Sequence, residues 1–400
     1  MTRLKIILTV SLFFIACISS AQSISKSMLR LPDTGENTSY TNTFGEDADY
    51  TIYPPFFLIN GNGTVTDTVT GLMWQQADGG EMTIENAIIY CDTLTLGGYT
   101  DWRLPNAHEA FSILNHQYVN PSLDFTVFSP TTADYWWTSV RQANDSTKVW
   151  VTNAGGGIGN HPKSETISTG GTKRFDVRAV RDRTTPPVIP NHFTNNGDGT
   201  ITDNITNLVW QKTSYHDSLT WEQALTYADS LTLAGNSDWR LPNIKELQSL
   251  NDESLISPSV NTTFFSNIAV NKYWSSTTLP NQTLKAWYLD TQFGVTTYDL
   301  KTVKHYLLCV RGNQISTSLD DVNEVKNSII ISPNPAKTSV TISSPSPSTI
   351  EFLNVQGQLL KSKCSKDAQT KFDISDFSKG VYIVIVKTGI NVQVMKFIKN

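Results

Sequence analysis

Side chains able to do chemistry are sparse in this 400-residue sequence, and their spacing argues against the familiar reactions. Six histidines occur, none in the HExxH spacing that seats a metal on one helix face. No GxSxG elbow, phosphate-binding loop or dinucleotide fingerprint is found. The stretch Asn196-Gly-Asp-Gly-Thr200 ahead of Asp203 could suggest a calcium loop, but a parallel stretch has Asn62 in place of Asp198. Asp-Gly before a β-rich run is an ordinary hairpin turn, and that reading is preferred. No cofactor, metal or catalytic residue is expected, and the protein is read as a non-enzyme. Asp101 and Asp238, each before Trp-Arg-Leu-Pro, are expected to pair locally with Arg103 or Arg240. The candidates for ligand contact are Trp136 and Trp221, whose rings could stack on a sugar. The competing reading is that they build core, since aromatic burial dominates core energetics.

These residues are framed by an internal repeat. Residues 60–75 read NGNGTVTDTVTGLMWQ and 196–211 read NGDGTITDNITNLVWQ. Apolar spacings of three and four then predict a helix at 84–94 and at 221–231, with Thr83 or Thr220 as N-cap. DWRLPN occurs at 101–106 and 238–243, each copy leading into a second short helix, at 108–114 and 244–250. Strands are expected at 136–140 with 273–277, at 149–152 with 286–289, and last at 175–181 with 306–311. Trp102/Trp239, Trp137/Trp274 and Trp150/Trp287 all differ by 137. Each copy is thus a module of about 120–150 residues. A proline-rich junction near 184–190 separates them.

At the start, Arg3 and Lys5 precede an apolar run at 6–18, and Ser19-Ser20-Ala21 precedes Gln22. This is the pattern of a secretory signal cleaved between Ala21 and Gln22, with a lipoprotein signal cut before Cys17 as the alternative. The run is shorter than the about 20 residues that span a bilayer, and no later stretch is long and apolar enough for a transmembrane segment. Cys91, Cys309 and Cys364 remain after cleavage, too few for a disulfide framework. The net charge of −5 is unevenly spread: +2 over 1–21, −13 over 22–325 and +6 over 326–400. An acidic body excludes nucleic acid as its main partner, because such binding needs clustered Lys and Arg. From Ser332-Pro333-Asn334-Pro335 onward, short apolar runs punctuated by glycine predict a small all-β sandwich.

Taken together, DWRLPN, the YW-S/T-S strand and the VRxVR-type last strand resemble the domain at the C-terminus of Legionella collagen-like (Lcl) adhesins. The resemblance covers nearly all of 30–312, including the lead-in LPDTGENTSY at 31–40. The WRLP-then-helix segment is also similar to formylglycine-generating-enzyme-like domains of C-type-lectin-like architecture. These resemblances imply an α+β fold of two tandem modules, each with two helices against a twisted, mostly antiparallel sheet. They also imply a cysteine pair between first helix and last strand. Here Cys91 has Ala179 as its counterpart and Cys309 has Ala228, so each copy has lost the opposite half and free thiols are expected. A formylglycine-type oxidase would need two cysteines in one module, and neither copy has them. In the tail, ISPNPAKTSVTI, VQGQLL, DISDFSKGVYIVIV and VMKFIKN resemble the C-terminal sorting domain of the type IX secretion system. That resemblance implies handling by the type IX machinery, followed by release or surface attachment.

The expected organisation is a signal peptide at 1–21, a first Lcl-like module at 22–185, a second at 186–316, a linker at 317–325 and a sorting domain at 326–400. The expected function is that of a secreted or cell-surface, adhesin-like protein recognising a glycan or a protein. Adhesin domains of this type are associated with sulfated glycosaminoglycans, which a strongly acidic body suits poorly, so a neutral glycan or protein surface is expected instead. The alternatives are a structural envelope component without a soluble ligand, and a glycan-active enzyme with paired carboxylates.

Overall fold

The computed structural model describes residues 24–128, 131–164, 175–312, 329–344, 348–354, 358–367, 369–388 and 391–400. The signal with its cleavage point at Ala21 and Gln22, Cys17 and the linker 317–325 lie outside these residues.

A short strand, β1 (Ile24–Ser25), opens the described chain. In the first copy β2 (Phe57–Ile59), β3 (Thr64–Asp67) and β4 (Leu72–Gln75) pair antiparallel in sequence. The turn between β2 and β3 needs Gly61 and Gly63 at φ +74° and +82°, a region that favours residues without Cβ. The helices α1 (Ile84–Thr93) and α2 (Ala107–Ser112) follow. Thr83 caps α1 by accepting from Asn86 N, and Asn106 caps α2 in a reciprocal box with Glu109. Next come β5 (Tyr135–Gln142), β6 (Asp145–Asn153), β7 (Ile158–Pro162), β8 (Phe175–Asp176) and β9 (Val180–Asp182). In the proline-rich junction β10 (Val188–Ile189) returns to pair with β1. The second copy repeats the order with β11 (Phe193–Asn195), β12 (Thr200–Asp203), β13 (Val209–Gln211), α3 (Trp221–Ser230) and α4 (Ile244–Ser249). It ends with β14 (Lys272–Thr278), β15 (Lys285–Asp290), β16 (Val295–Leu300) and β17 (Val310–Arg311).

The α+β, C-type-lectin-like expectation is not met. The protein is mostly β, built from several small sheets, and the four α-helices among the described residues are only 10, 6, 10 and 6 residues long. The last strand of each copy explains the difference. FDVRAVR does not run as one strand: Phe175–Asp176 pairs in parallel with β5, whereas Val180–Asp182 pairs antiparallel with β4. The buried link Val177–Arg178–Ala179 thus stitches two four-stranded sheets, β2-β3-β4-β9 and β7-β6-β5-β8, instead of completing one twisted sheet under the helices. In the second copy Val310–Arg311 joins β13, and Tyr306 only bridges to Tyr273.

The copies do not keep separate cores. Each has a private cluster around its first helix, one holding Cys91, Trp102 and Trp137, the other Cys309, Trp239 and Trp274. A larger cluster runs through both copies, joining Trp74, Phe111, Leu114 and Trp150 to Ile244, Leu247, Trp210 and Trp287. Across this junction Ile158 N donates to Thr296 Oγ1 at 2.9 Å, and the His116 and Trp287 rings meet edge to face at 5.5 Å. His108 and Lys245 occupy equivalent places on α2 and α4, and each reaches into the other copy. His108 pairs with Glu253 at 2.8 Å, and Lys245 Nζ donates to Ser112 O at 2.7 Å.

The tail has its own core. Strands β18 (Ile330–Ser332), β19 (Ser339–Ser343), β20 (Ser348–Leu353), β21 (Leu359–Ser365), β22 (Gln369–Asp373), β23 (Gly380–Thr388) and β24 (Asn391–Lys399) form the sheets β18-β19-β22 and β21-β20-β23-β24. Val340, Ile342 and Phe372 from one sheet pack with Phe352, Val384 and Phe397 from the other.

Candidate functional site

A cleft of about 360 Å³ lies between α1 and the β5–β6 edge of the first copy. The helix sets one wall: Ile84, Ala87 and Cys91 turn into the core, which leaves Glu85, Ile88 and Asp92 along the cleft. Thr138, Ser139 and Arg141 of β5 form the opposite wall, with Lys163 just beyond β7. Arg103, from the WRLP segment, lies at the base. Its guanidinium pairs with Glu109 at 2.7 Å and Asp182 at 3.0 Å, so Glu109 serves both the α2 cap and the ion pair. Thr138 Oγ1 is engaged with Trp150 O.

The same place in the second copy is occupied by the chain's own lead-in, residues 33–50, which leaves a cavity of about 660 Å³ between Tyr40–Thr43 and Glu222, Leu284, Leu300 and Lys301. Thr277 Oγ1 donates to Asp47 Oδ2 at 2.6 Å, Thr278 N to Glu36 Oε2 at 3.2 Å and Thr278 Oγ1 to Glu46 Oε2 at 3.2 Å. Asn243 Nδ2 donates to Asp33 Oδ1, and Lys245 Nζ to the Asp33 carbonyl at 2.8 Å. Thr43 Oγ1 donates to Glu222, and the Arg240 guanidinium lies 5.4 Å from the Tyr50 ring centroid. Arg240 is itself paired with Glu246 at 2.6 Å in a fully buried setting.

This packing perturbs the acids. Burial, and then the nearby Asp47 charge, push Asp33 and Glu36 well above the usual carboxylate range. Burial raises Asp47 to about 6, partly offset by hydrogen bonds from Thr277 and Thr34. Burial lowers Lys245 to about 8, with the charge of Asp33 as the main opposing influence.

The two tryptophans singled out from sequence are buried. Trp136 is 5% exposed and its Nε1 donates to Asp78 Oδ1, which also pairs with the buried Arg178. Trp221 is 0% exposed, its Nε1 donates to Ser275 O at 2.7 Å, and Lys301 Nζ lies 3.7 Å from its ring centroid. Both rings are core, so as stacking platforms they are corrected: neither presents a free face to a sugar. Asp101 and Asp238 do not pair with Arg103 and Arg240. Strand pairing brings Arg181 to Asp101 and Arg311 to Asp238, both at 2.7 Å, while Arg103 and Arg240 turn to Glu109 and Glu246. The Asn-Gly stretches form hairpin turns, with Asp198 Oδ1 accepting from Thr200 N and Oγ1. Among the described residues no cluster of His, Cys, Asp or Glu is arranged to hold a metal ion. Cys91 shares a cluster with Ala179, and Cys309 with Ala228, so each pair of positions implied by the resemblance lies in one core, with a thiol on one side only. Sequence reading missed the lead-in as a cleft filler. Its one signal was the density of acids and threonines at 33–49, which periodicity does not register.

Comparisons with known proteins agree with the repeat. The Lcl C-terminal domain family matches residues 63–181 and again 199–311. A secretion system C-terminal sorting domain matches residues 330–400. No curated protein matches the chain. Among solved structures there is a likeness to PorZ, a surface component of the type-IX secretion system of Porphyromonas gingivalis, at 14% identity and a TM-score of 0.18. It covers 66% of this chain and 30% of PorZ, so the chain spans under a third of that protein. A biofilm-associated protein BSP domain is similar at 10% identity and a TM-score of 0.17, over 92% of this chain and 68% of the other. Neither likeness is close enough to carry an argument. Among the described residues no helix is long and apolar enough to cross a membrane. The sorting domain makes this a protein exported through type IX secretion and either released or attached to the outer cell surface. With two tandem matches covering more than half its length, the chain belongs to the Lcl C-terminal domain family.

Proposed function

We propose that the exported protein is an adhesin-like binding protein without catalytic activity, and that the cleft of the first copy receives the ligand, a glycan or a protein. The observation that carries this reading is the asymmetry of the two clefts. The second has residues 33–50 laid along its strand wall and base, whereas among the described residues no such segment lies in its counterpart between α1 and β5, which has apolar and charged groups on facing walls. A small apolar floor with a few placed polar groups is the usual form of a recognition site. Duplication in this chain then serves two ends, one copy presenting a cleft and the other bracing it through the shared core. Catalysis is not called for, because Arg103 is committed to its ion pairs and the Thr138 hydroxyl to a backbone carbonyl.

The test is an array of glycans and matrix proteins probed with the mature exported protein. Saturable binding is expected, and it should be lost in Ile88→Trp and Ser139→Trp, which fill the cleft from exposed positions and should leave the thermal midpoint unchanged. Retained binding in both variants, or no binding partner on either array, would overturn the reading.

A further inference from the structure

We propose that the open cleft of the first copy is a docking groove for an extended acidic segment of a partner protein, laid in it as residues 33–50 are laid in the second copy. The inference rests on the binding role given above and narrows the ligand to a peptide carrying carboxylates.

The argument runs position by position. Glu85 stands where the second copy has Glu222, the acid that accepts from Thr43 of its lead-in. Ile88 stands for Leu225, which lies 3.5 Å from a Cβ built on Gly45. Arg103 stands for Arg240, whose guanidinium faces Tyr50. Arg141 stands for Thr278, the residue that holds both Glu36 and Glu46. Following the strand pairings, Lys163 stands for Lys301, whose main attractive neighbours are Glu46 and Glu36. The groove is therefore kept in part: Val140 replaces Thr277 and has no hydroxyl for a carboxylate, while Arg141 brings a guanidinium where Thr278 holds Glu36 and Glu46. A guanidinium suits a carboxylate better, through paired, charge-assisted hydrogen bonds.

Two differences define the occupant further. Ile84 replaces Trp221 at the floor, so the first cleft has the smaller side chain there. A partner segment should carry a bulky apolar residue there. The helix wall bears Glu85 and Asp92, opposite the cations. A polymer with anionic groups on every side, such as a sulfated glycan, would meet repulsion on that wall. A peptide can direct its carboxylates to one side.

The probe is a fluorescein-labelled peptide of residues 31–50, titrated by anisotropy into the mature full-length protein. Saturable 1:1 binding is expected. Charge reversal in Arg141→Glu/Lys163→Glu should weaken it about tenfold or more, as should amide replacements at positions 33, 36, 46 and 47 of the peptide. Both protein substitutions fall outside the core, and an unchanged thermal midpoint verifies the fold. Peptide binding that ignores the double variant, or no peptide binding at all, overturns the inference. If array ligands still bind through the cleft while the peptide does not, this inference falls and the binding role stands. If a heparin oligosaccharide binds in its place and is lost in the double variant, the cleft belongs to a sulfated glycan instead.

Discussion

At the scale of single residues, the two copies use the same arginine under different conditions. Arg240 is fully buried with Glu246 as its ion-pair partner, while Arg103 keeps both Glu109 and Asp182 and is about a third exposed. Removing one member of a buried pair leaves an uncompensated charge, so Glu246→Gln should cost about 3 kcal/mol or more in denaturant unfolding. Glu109→Gln should cost about 1 kcal/mol, because Asp182 and water still answer the guanidinium. Equal losses would show that burial does not set the difference. The thiols make a second case. Burial pushes Cys91 up to about 12 and raises Cys309 as well, while Cys364 is exposed. A maleimide should label Cys364 alone in the folded protein and all three after unfolding without reductant, since reactivity follows the thiolate. If Cys91 and Cys309 stay unlabelled in the unfolded chain, they are bridged and the structure is wrong there.

At the scale of elements, the lead-in has one short 3₁₀ turn, Asp47–Asp49, as its regular structure and is held mainly by carboxylates. Asp33, Glu36 and Asp47 have raised pKa values, so the docked segment binds protons that the free segment would release at ordinary carboxylate values. Their contribution is full below about pH 4 and is lost as pH rises through the raised values, near 6 for Asp47. Lys245, lowered to about 8, is protonated in both states below about pH 7 and adds no slope there. Amide exchange across 34–50, corrected for its intrinsic rate, should be more protected at pH 5 than at pH 7. Protection that is flat or rises with pH would place the grip in other contacts. The helices and most strands around this segment were legible in sequence, because capping residues and alternation are local signals: Thr83 and Thr220 stand at the N-caps of α1 and α3 as their type suggests. The split of the last strand was not legible. FDVRAVR alternates well enough for one strand, and only its two partners, β5 and β4, divide it.

At the scale of the molecule, the cluster shared by both copies makes them one cooperative body, whereas the tail core is separate. Calorimetry of residues 24–312 should give a single transition, and a fragment ending at 185 should aggregate, since Phe111, Leu114 and Trp150 lose the partners that cover them. Two resolved transitions in 24–312 would refute the shared core. Repetition of Trp-Arg-Leu-Pro suggested two modules side by side, each with its own core. The equivalent positions of His108 and Lys245 instead carry each second helix into the neighbouring copy.

The sequence by itself determined the repeat, the family, the sorting tail and the absence of a second cysteine in each copy, because these are properties of residue order and composition. The tertiary structure decided which tryptophans are buried, which carboxylate each arginine takes, and which of two equivalent clefts stays open. Those outcomes depend on residues far apart in the chain, such as Asp47 with Thr277 or Asp101 with Arg181, meeting at hydrogen-bond distance. No local pattern specifies such a meeting. It follows from burying the apolar faces of both copies together, which carries the lead-in past its own module and into the next.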